Sequence, residues 1–225
     1  MAGTSRHGLF DAVLFDCDGV LVDSRATCRD TWIRWITRVG FTEHSIADAL
    51  EARPTREAMS ELVPAGRLDE EVAWFTAMEL RSAETMRAIP GARDTVRGLL
   101  GANWAVVTSA SRVLARARLT AADLPLPQVL VSADDVQAGK PAPEGYRLAA
   151  RHLGVAIERC VVLEDSDVGA CAAARAGATV VGVGARIGSS QIQFGPVPDL
   201  RSIELRPAEK GAISLSLLQD SAGTG

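Results

Sequence analysis

The chain has almost no lysine: of its 24 basic residues only Lys140 and Lys210 are lysine, and a lysine here is a rare choice. No apolar run approaches the roughly 20 residues that a membrane-spanning helix needs, so no membrane partner is expected. The start, Met1 to Gly8, lacks the charged-then-apolar layout of a signal peptide, which points to a cytoplasmic protein. The basic residues are scattered and the net charge is -4, leaving no electrostatic footprint for nucleic acid. Cys17, Cys28, Cys160 and Cys171 show no zinc-type pairing; reduced thiols, with Cys17 and Cys160 in or beside buried strands, are the expectation. Internal repeats and low-complexity segments are absent too.

What is there is enough for a full core. With 225 residues and 47% hydrophobic composition, the chain forms one large domain, or one domain plus an insertion. The run Val13-Leu14-Phe15 ends abruptly in Asp16-Cys17-Asp18-Gly19. An apolar run followed by turn residues suits a strand of a parallel sheet covered on both faces, with ligands beyond its carboxyl end. Gly19 permits a bend that turns Asp16 and Asp18 towards one cavity. The same residues also suit a plain strand terminus, since Asp and Gly are common turn formers.

After this strand, Asp23 or Ser24 caps a predicted helix in which Trp32, Trp35, Ile36 and Val39 recur at helical spacing and pack a core. A second helix is expected over 46–51, and a third after Pro54-Thr55 with Met59 and Leu62 inward. Pro64-Ala65-Gly66 reads as a break, and Asp69 as the start of a long helix to Met86 with Val72, Phe75 and Met78 on one face. Helices in succession without a strand imply a small bundle of their own. From Ile89 onward short apolar strands alternate with helices, the pattern of a doubly wound α/β domain. The strands are expected over 104–108, 128–132, 160–164 and 179–183, the helices over 92–100, 111–119, 143–153 and 168–176. A weaker edge strand is expected after Asp199, and a frayed tail from Asp220. The architecture is thus a doubly wound parallel sheet, residues 1–22 and 89–225, interrupted by a helical cap over 23–88.

Other strand ends are polar as well. Thr108-Ser109-Ala110 offers hydroxyls and backbone N–H groups to a phosphate oxygen, or merely precedes a capped helix. Gly139-Lys140-Pro141 presents a compact ammonium that can sit between a carboxylate and a phosphate, or a solvated loop lysine. Glu164-Asp165-Ser166-Asp167 ends a buried strand, where acids must be solvated, paired or bound to a metal such as Mg²⁺; a helix amino-terminus stabilised by acids is the other reading, preferred for Asp167.

Asp16-x-Asp18-Gly19, Thr108-Ser109, Lys140 and Glu164-Asp165, in that order, resemble the motifs of the haloacid dehalogenase superfamily. The likeness is to the branch of small-molecule phosphatases and β-phosphoglucomutases whose helical cap follows the first strand. The resemblance implies Asp16 as the nucleophile that becomes an aspartyl-phosphate and Asp18 as the acid and base. It implies that Thr108 and the Ser109 and Ala110 amides hold phosphoryl oxygens while Lys140 neutralises charge. Asp16, Asp165 and the Asp18 carbonyl would bind Mg²⁺, with Glu164 in or near its outer shell.

Within that branch Asp18 argues against a dehalogenase, since halide displacement needs no acid. A phosphonate hydrolase would need a cap lysine, and residues 21–88 contain none. The mutases resembled here carry a histidine near the position of Cys28 and a lysine in the cap, both missing, yet Thr55-Arg56-Glu57 looks like their segment for a second phosphate. The expectation is a Mg²⁺-dependent, monomeric phosphatase of a small phosphorylated sugar or polyol, with Arg53 and Arg56 of the cap contacting substrate. A phosphosugar mutase and a catalytically silent binding module are the alternatives.

Overall fold

Alternate side chains of the first apolar run are buried on opposite sides of one sheet, which is why the run has no polar interruption. Val13 and Phe15 belong to one core cluster, Ala12 and Leu14 to the other. The computed structural model describes residues 7–42, 55–185, 187–188 and 190–218. Strand β1 (His7–Phe10) leads into β2 (Ala12–Phe15), a short β3 (Val22–Asp23) and helix α1 (Arg25–Arg38). Then come α2 (Thr55–Ser60), α3 (Ala65–Ala83), β4 (Arg87–Ala88), α4 (Ala92–Gly98), β5 (Trp104–Val107), α5 (Arg112–Ala121) and β6 (Val129–Val131). The chain continues through α6 (Glu144–Leu153), β7 (Cys160–Glu164), α7 (Asp167–Ala176), β8 (Thr179–Val183), β9 (Phe194–Val197), β10 (Ile203–Pro207) and β11 (Ile213–Leu217).

The main sheet has the order β6-β5-β2-β7-β8-β9 and every pairing in it is parallel. Leaving β2, the chain builds β5 and β6 on one side and β7 to β9 on the other, so the crevice of a doubly wound sheet opens at the end of β2. Helices α4 and α5 supply Val96, Ala115 and Leu119 to one face, while α6 and α7 supply Tyr146, Ala149, Ala170 and Ala173 to the other. Each fully buried Leu or Phe of these cores contributes about 1.5–3 kcal/mol. The expected α/β architecture is the one observed.

Three local expectations are corrected. The break falls over 61–64, between α2 and α3, and not on Ala65 and Gly66, which belong to α3; Pro64 sits just before α3, with φ -57° and ψ 144°, where proline needs no amide partner. The long helix therefore runs from Ala65 to Ala83, starting before Asp69 and stopping before Met86. Its buried positions are Glu71, Phe75 and Ala83, with Val72 and Met78 only half-buried. Glu71 is accommodated because Trp35 Nε1, Arg38 Nε and Arg67 Nη2 donate to it at 3.1, 3.1 and 2.5 Å. The strand after Asp199 exists as β10, but it joins β1 and β11 in a separate antiparallel sheet, order β1-β11-β10, and the sixth parallel strand is β9. Neither β1 nor β9 was expected, since each is short and only partly apolar.

The cap helices share a cluster of Trp32, Trp35, Ile36, Met59 and Phe75, with Trp32 and Phe75 ring centroids 4.3 Å apart. The tryptophans are thus core residues, as their spacing indicates. Ser24 precedes α1, but its hydroxyl makes no capping bond. The antiparallel pair of β3 and β4, Val22 with Ala88 and Asp23 with Arg87, holds the two ends of this segment together. The expected helix over 46–51, Arg53 and the tail from Asp220 lie outside the described residues.

Candidate active site

Four backbone segments converge at the carboxyl end of β2. Asp16, the first residue past the strand, is 6% exposed and its N–H donates to Leu163 O at 3.0 Å. The chain then turns on Gly19, whose φ is +86° and whose N–H donates to Val22 O at 2.8 Å. A Cβ at Gly19 would lie 1.7 Å from Asp165 Oδ2, so both its conformation and the closeness of Asp165 require glycine.

Lys140 is the hub of the acids. Its ammonium donates to Asp16 Oδ1 and Glu164 Oε1, each at 2.5 Å, and lies 3.4 Å from Val107 O. Glu164, fully buried, also accepts from the Tyr146 hydroxyl at 2.6 Å, the Ser166 hydroxyl at 3.0 Å and the Asp165 and Ser166 amides. Gly169 makes room for it: a Cβ there would stand 1.8 Å from Glu164 Oε1. Carboxylate oxygens of Asp16, Glu164 and Asp165 all lie within 4.8 Å of one another.

Thr108 follows β5, and its Oγ1 accepts from the Ala110 N–H at 3.0 Å and lies 3.5 Å from Asp18 Oδ2. The helix cap is Ser111, whose Oγ accepts from Leu114 N. The capped-helix reading of this stretch thus holds at Ser111, with the Thr108 and Ser109 hydroxyls preceding the cap. A cavity of about 190 Å³ opens beside Thr108, Ser109, Lys140 and Tyr146, walled by Val107, Val131 and Val136.

Two arginines that the sequence did not single out complete the constellation. Arg118 of α5, 3% exposed, donates from Nη1 to both Asp18 oxygens at 3.0 Å. Its Nη2 donates to Glu79 Oε1 of α3 at 2.8 Å and to Cys28 Sγ of α1 at 3.2 Å. Arg25, the first residue of α1, pairs with the Asp165 carboxylate and donates to the Asp165 carbonyl at 2.9 Å. Tyr146 was missed as well, although it is the sole tyrosine of the chain. Of the expected cap residues, Arg56 pairs with exposed Asp69 at 2.8 Å, and Arg53 is not described. Asp167 opens α7 and accepts from Gly188 N, in keeping with a helix-terminal role.

The electrostatics follow from three buried acids around one ammonium. Burial pushes the Asp16 carboxyl well above the usual range; Lys140 opposes the shift, while Glu164, Asp165 and Asp18 add to it. Burial also works against the Glu164 charge, but Lys140, Tyr146 and Ser166 outweigh it and hold Glu164 below its ordinary value. Asp165 is raised to about 6 by burial and by Glu164, with Arg25 working the other way. Burial disfavours the Lys140 charge, yet Asp16 and Glu164 keep the ammonium well above the usual lysine range. Burial and Glu164 push the Tyr146 phenol up, so it stays a donor. The arrangement can take a phosphoryl group onto an acid, spread its charge over Lys140 and hydroxyls, and hold a cation between Asp16 and Asp165.

The pattern of the haloacid dehalogenase-like hydrolases matches residues 10–177. Hexitol phosphatase A of Escherichia coli (strain K12) is 37% identical over 178 residues, which cover 76% of this chain and 82% of that protein. Validoxylamine A 7'-phosphate phosphatase of Streptomyces hygroscopicus subsp. limoneus is 37% identical over 186 residues, 78% of this chain and 86% of that protein. The crystal structure of CbbY from Rhodobacter sphaeroides in complex with phosphate superposes with a TM-score of 0.76 at 24% identity, covering 85% of this chain and 95% of that one. At that identity the likeness speaks for the fold alone.

Proposed function

The chain belongs to the haloacid dehalogenase-like hydrolase family, and from that membership we propose that it is a magnesium-dependent phosphatase of a small phosphorylated sugar or polyol. The observation that carries this reading is the Lys140 ammonium bridging Asp16 and Glu164 beside Thr108. It pairs a buried carboxylate nucleophile with a fixed positive charge where phosphoryl oxygens would lie. The relatives named hexitol phosphatase and validoxylamine phosphate phosphatase support a polyol- or sugar-like leaving group.

In this mechanism Asp16 attacks phosphorus as Asp18 delivers a proton to the leaving oxygen, giving an aspartyl-phosphate and a free alcohol. Asp18, now a carboxylate, then takes a proton from water. The water oxygen attacks the same phosphorus, the bond to Asp16 breaks, and inorganic phosphate leaves. Thr108, Ser109, the Ala110 backbone and Lys140 hold the phosphoryl oxygens. The donor set fits a hard divalent ion: Asp16 and Asp165 offer oxygens, with the Asp18 carbonyl, while the bonds of Glu164 are already taken by Lys140, Tyr146 and Ser166, leaving it an outer role. Mg²⁺ would offset phosphoryl charge there.

Residues 1–22 and 89–225 are taken as the catalytic unit and 23–88 as a cap that selects substrate, including Arg53 and Arg56. No helix among the described residues is long and apolar enough to cross a membrane; a cytoplasmic monomer is proposed. Against a mutase, burial pushes the Cys28 thiol up to about 12, so the group standing near the mutase histidine is a poor proton carrier at neutral pH. The test is phosphate release from hexitol, sugar, glycerol and glycolate phosphates with Mg²⁺ or EDTA, with sugar phosphates also assayed for isomerised product. Asp16→Asn is expected to release none; release at the parent rate refutes the nucleophile, and isomerised product without phosphate release favours the mutase.

A further inference from the structure

A nearly fully buried arginine is costly to desolvate unless its charge is used. Arg118 is such a residue, and its contacts divide between two parts of the molecule. Nη1 takes both oxygens of Asp18, whereas Nη2 is held by Glu79 and Cys28, on the two long cap helices. Among the described residues, the other side-chain contact of Asp18 is the long one with Thr108 at 3.5 Å. The direction of the Asp18 carboxylate is therefore set by Arg118, and Arg118 is set by the cap.

We propose that Arg118 is a positioning residue that aims Asp18 at the attacking water in the second half of the reaction, with Glu79 as its anchor on the cap. This rests on the reading of Asp18 as acid and base given above. A planar guanidinium fixes direction as well as distance, which a lone ammonium in its place does not. The step that depends most on aim is hydrolysis of the aspartyl-phosphate. There Asp18 accepts one proton from water as the oxygen–phosphorus bond forms and the phosphorus–Asp16 bond breaks. Glu79 and Arg118 thus link that step to a seated cap.

The test uses p-nitrophenyl phosphate, whose leaving group needs no acid, with the full-length enzyme and Mg²⁺. In Arg118→Met, kcat is expected to fall on the order of 10²-fold, the scale of a misplaced catalytic group. Because transfer to Asp16 is spared, kcat/KM should stay near the parent value and a burst of nitrophenol should appear. Arg118→Lys should recover part of kcat, and Glu79→Gln should show a smaller loss of the same kind. A burst equal to the folded enzyme concentration separates slow hydrolysis from misfolding. If kcat and kcat/KM fall together without a burst in Arg118→Met, and Glu79→Gln behaves as the parent, the positioning role is wrong. Asp18→Asn keeps this distinct from the underlying reading: it should show the same burst, and parent-like turnover in Asp18→Asn would refute the role of Asp18 itself.

Discussion

Substituting Asp165 by asparagine should stabilise the protein and disable it at once. In the absence of metal, burial and Glu164 raise the Asp165 carboxyl from an ordinary 3.8 to about 6. The folded state then holds a proton that the unfolded chain has released. As pH rises from about 4 to about 6, the unfolded state ionises first and gains relative stability. Below that window the cost is absent; above it the cost is complete. A shift of two units at about 1.4 kcal/mol each gives roughly 3 kcal/mol of lost stability at neutral pH. In a chain of this size that is about 6–12 °C of melting temperature. Asparagine keeps an oxygen for Arg25 and carries no charge, so in EDTA at pH 7.5 Asp165→Asn should melt above the parent, with the gap closing towards pH 4. Mg²⁺ should raise the parent's melting temperature at pH 7.5 far more than at pH 5, and should leave Asp165→Asn nearly unmoved. Thermal unfolding from pH 4 to 8, with EDTA or Mg²⁺, measures all of this. An Asp165→Asn protein that melts below the parent at pH 7.5 in EDTA, or that still responds to Mg²⁺, refutes the reasoning.

Three further substitutions probe the neighbours. Tyr146→Phe removes the hydroxyl that donates to Glu164 and should cost about 1–3 kcal/mol of stability in chemical denaturation, and some 10-fold or more in kcat/KM, as loss of an outer partner of a metal site does. Gly169→Ala drives a methyl into Glu164, 1.8 Å from Oε1; it should displace that carboxylate from Lys140 and reduce phosphate release far more than Gly66→Ala, where a Cβ meets nothing within 4 Å. Arg25→Ala frees Asp165 of its guanidinium partner, and titration calorimetry should find Mg²⁺ bound more tightly than by the parent, since no cation competes for the carboxylate.

What the sequence disclosed follows from how strands and helices present side chains. Asp16, Thr108 and Glu164 were legible because each stands where an unbroken apolar strand stops, and burial beyond a strand end demands a reason for polarity. The strands β7 and β8 matched their expected limits residue for residue, because their apolar runs are bounded by turn chemistry on both sides. Lys140 was legible for a different reason: in a chain that otherwise uses arginine, one lysine between Gly139 and Pro141 stands out. Strands β1 and β9 were missed because each is short and mostly unburied, with only its last residue buried, so neither carries an apolar run of its own.

The residues that escaped notice share a location: Arg25, Glu79, Arg118 and Tyr146 all lie on helices, at or within them. A polar residue on an amphipathic helix is ordinarily solvated, so a helical arginine or glutamate carries no mark of burial in its own neighbourhood. Glu71 illustrates the same blindness without any catalytic role, since it occupies the inward face where Val72 was expected. Arg118, Glu79 and Tyr146 are covered only when a second element packs on their helix: α5 against α3 for Arg118 and Glu79, β5 and β6 against α6 for Tyr146. The acids proposed to do the chemistry are therefore written into strand ends, where one element suffices to expose their oddity. The groups that aim and balance those acids arise from contacts between elements distant in sequence. That division explains why the helices that supply Arg25, Cys28 and Glu79 reach Asp165 directly and Asp18 through Arg118, in ways that their own pattern of apolar residues could not announce.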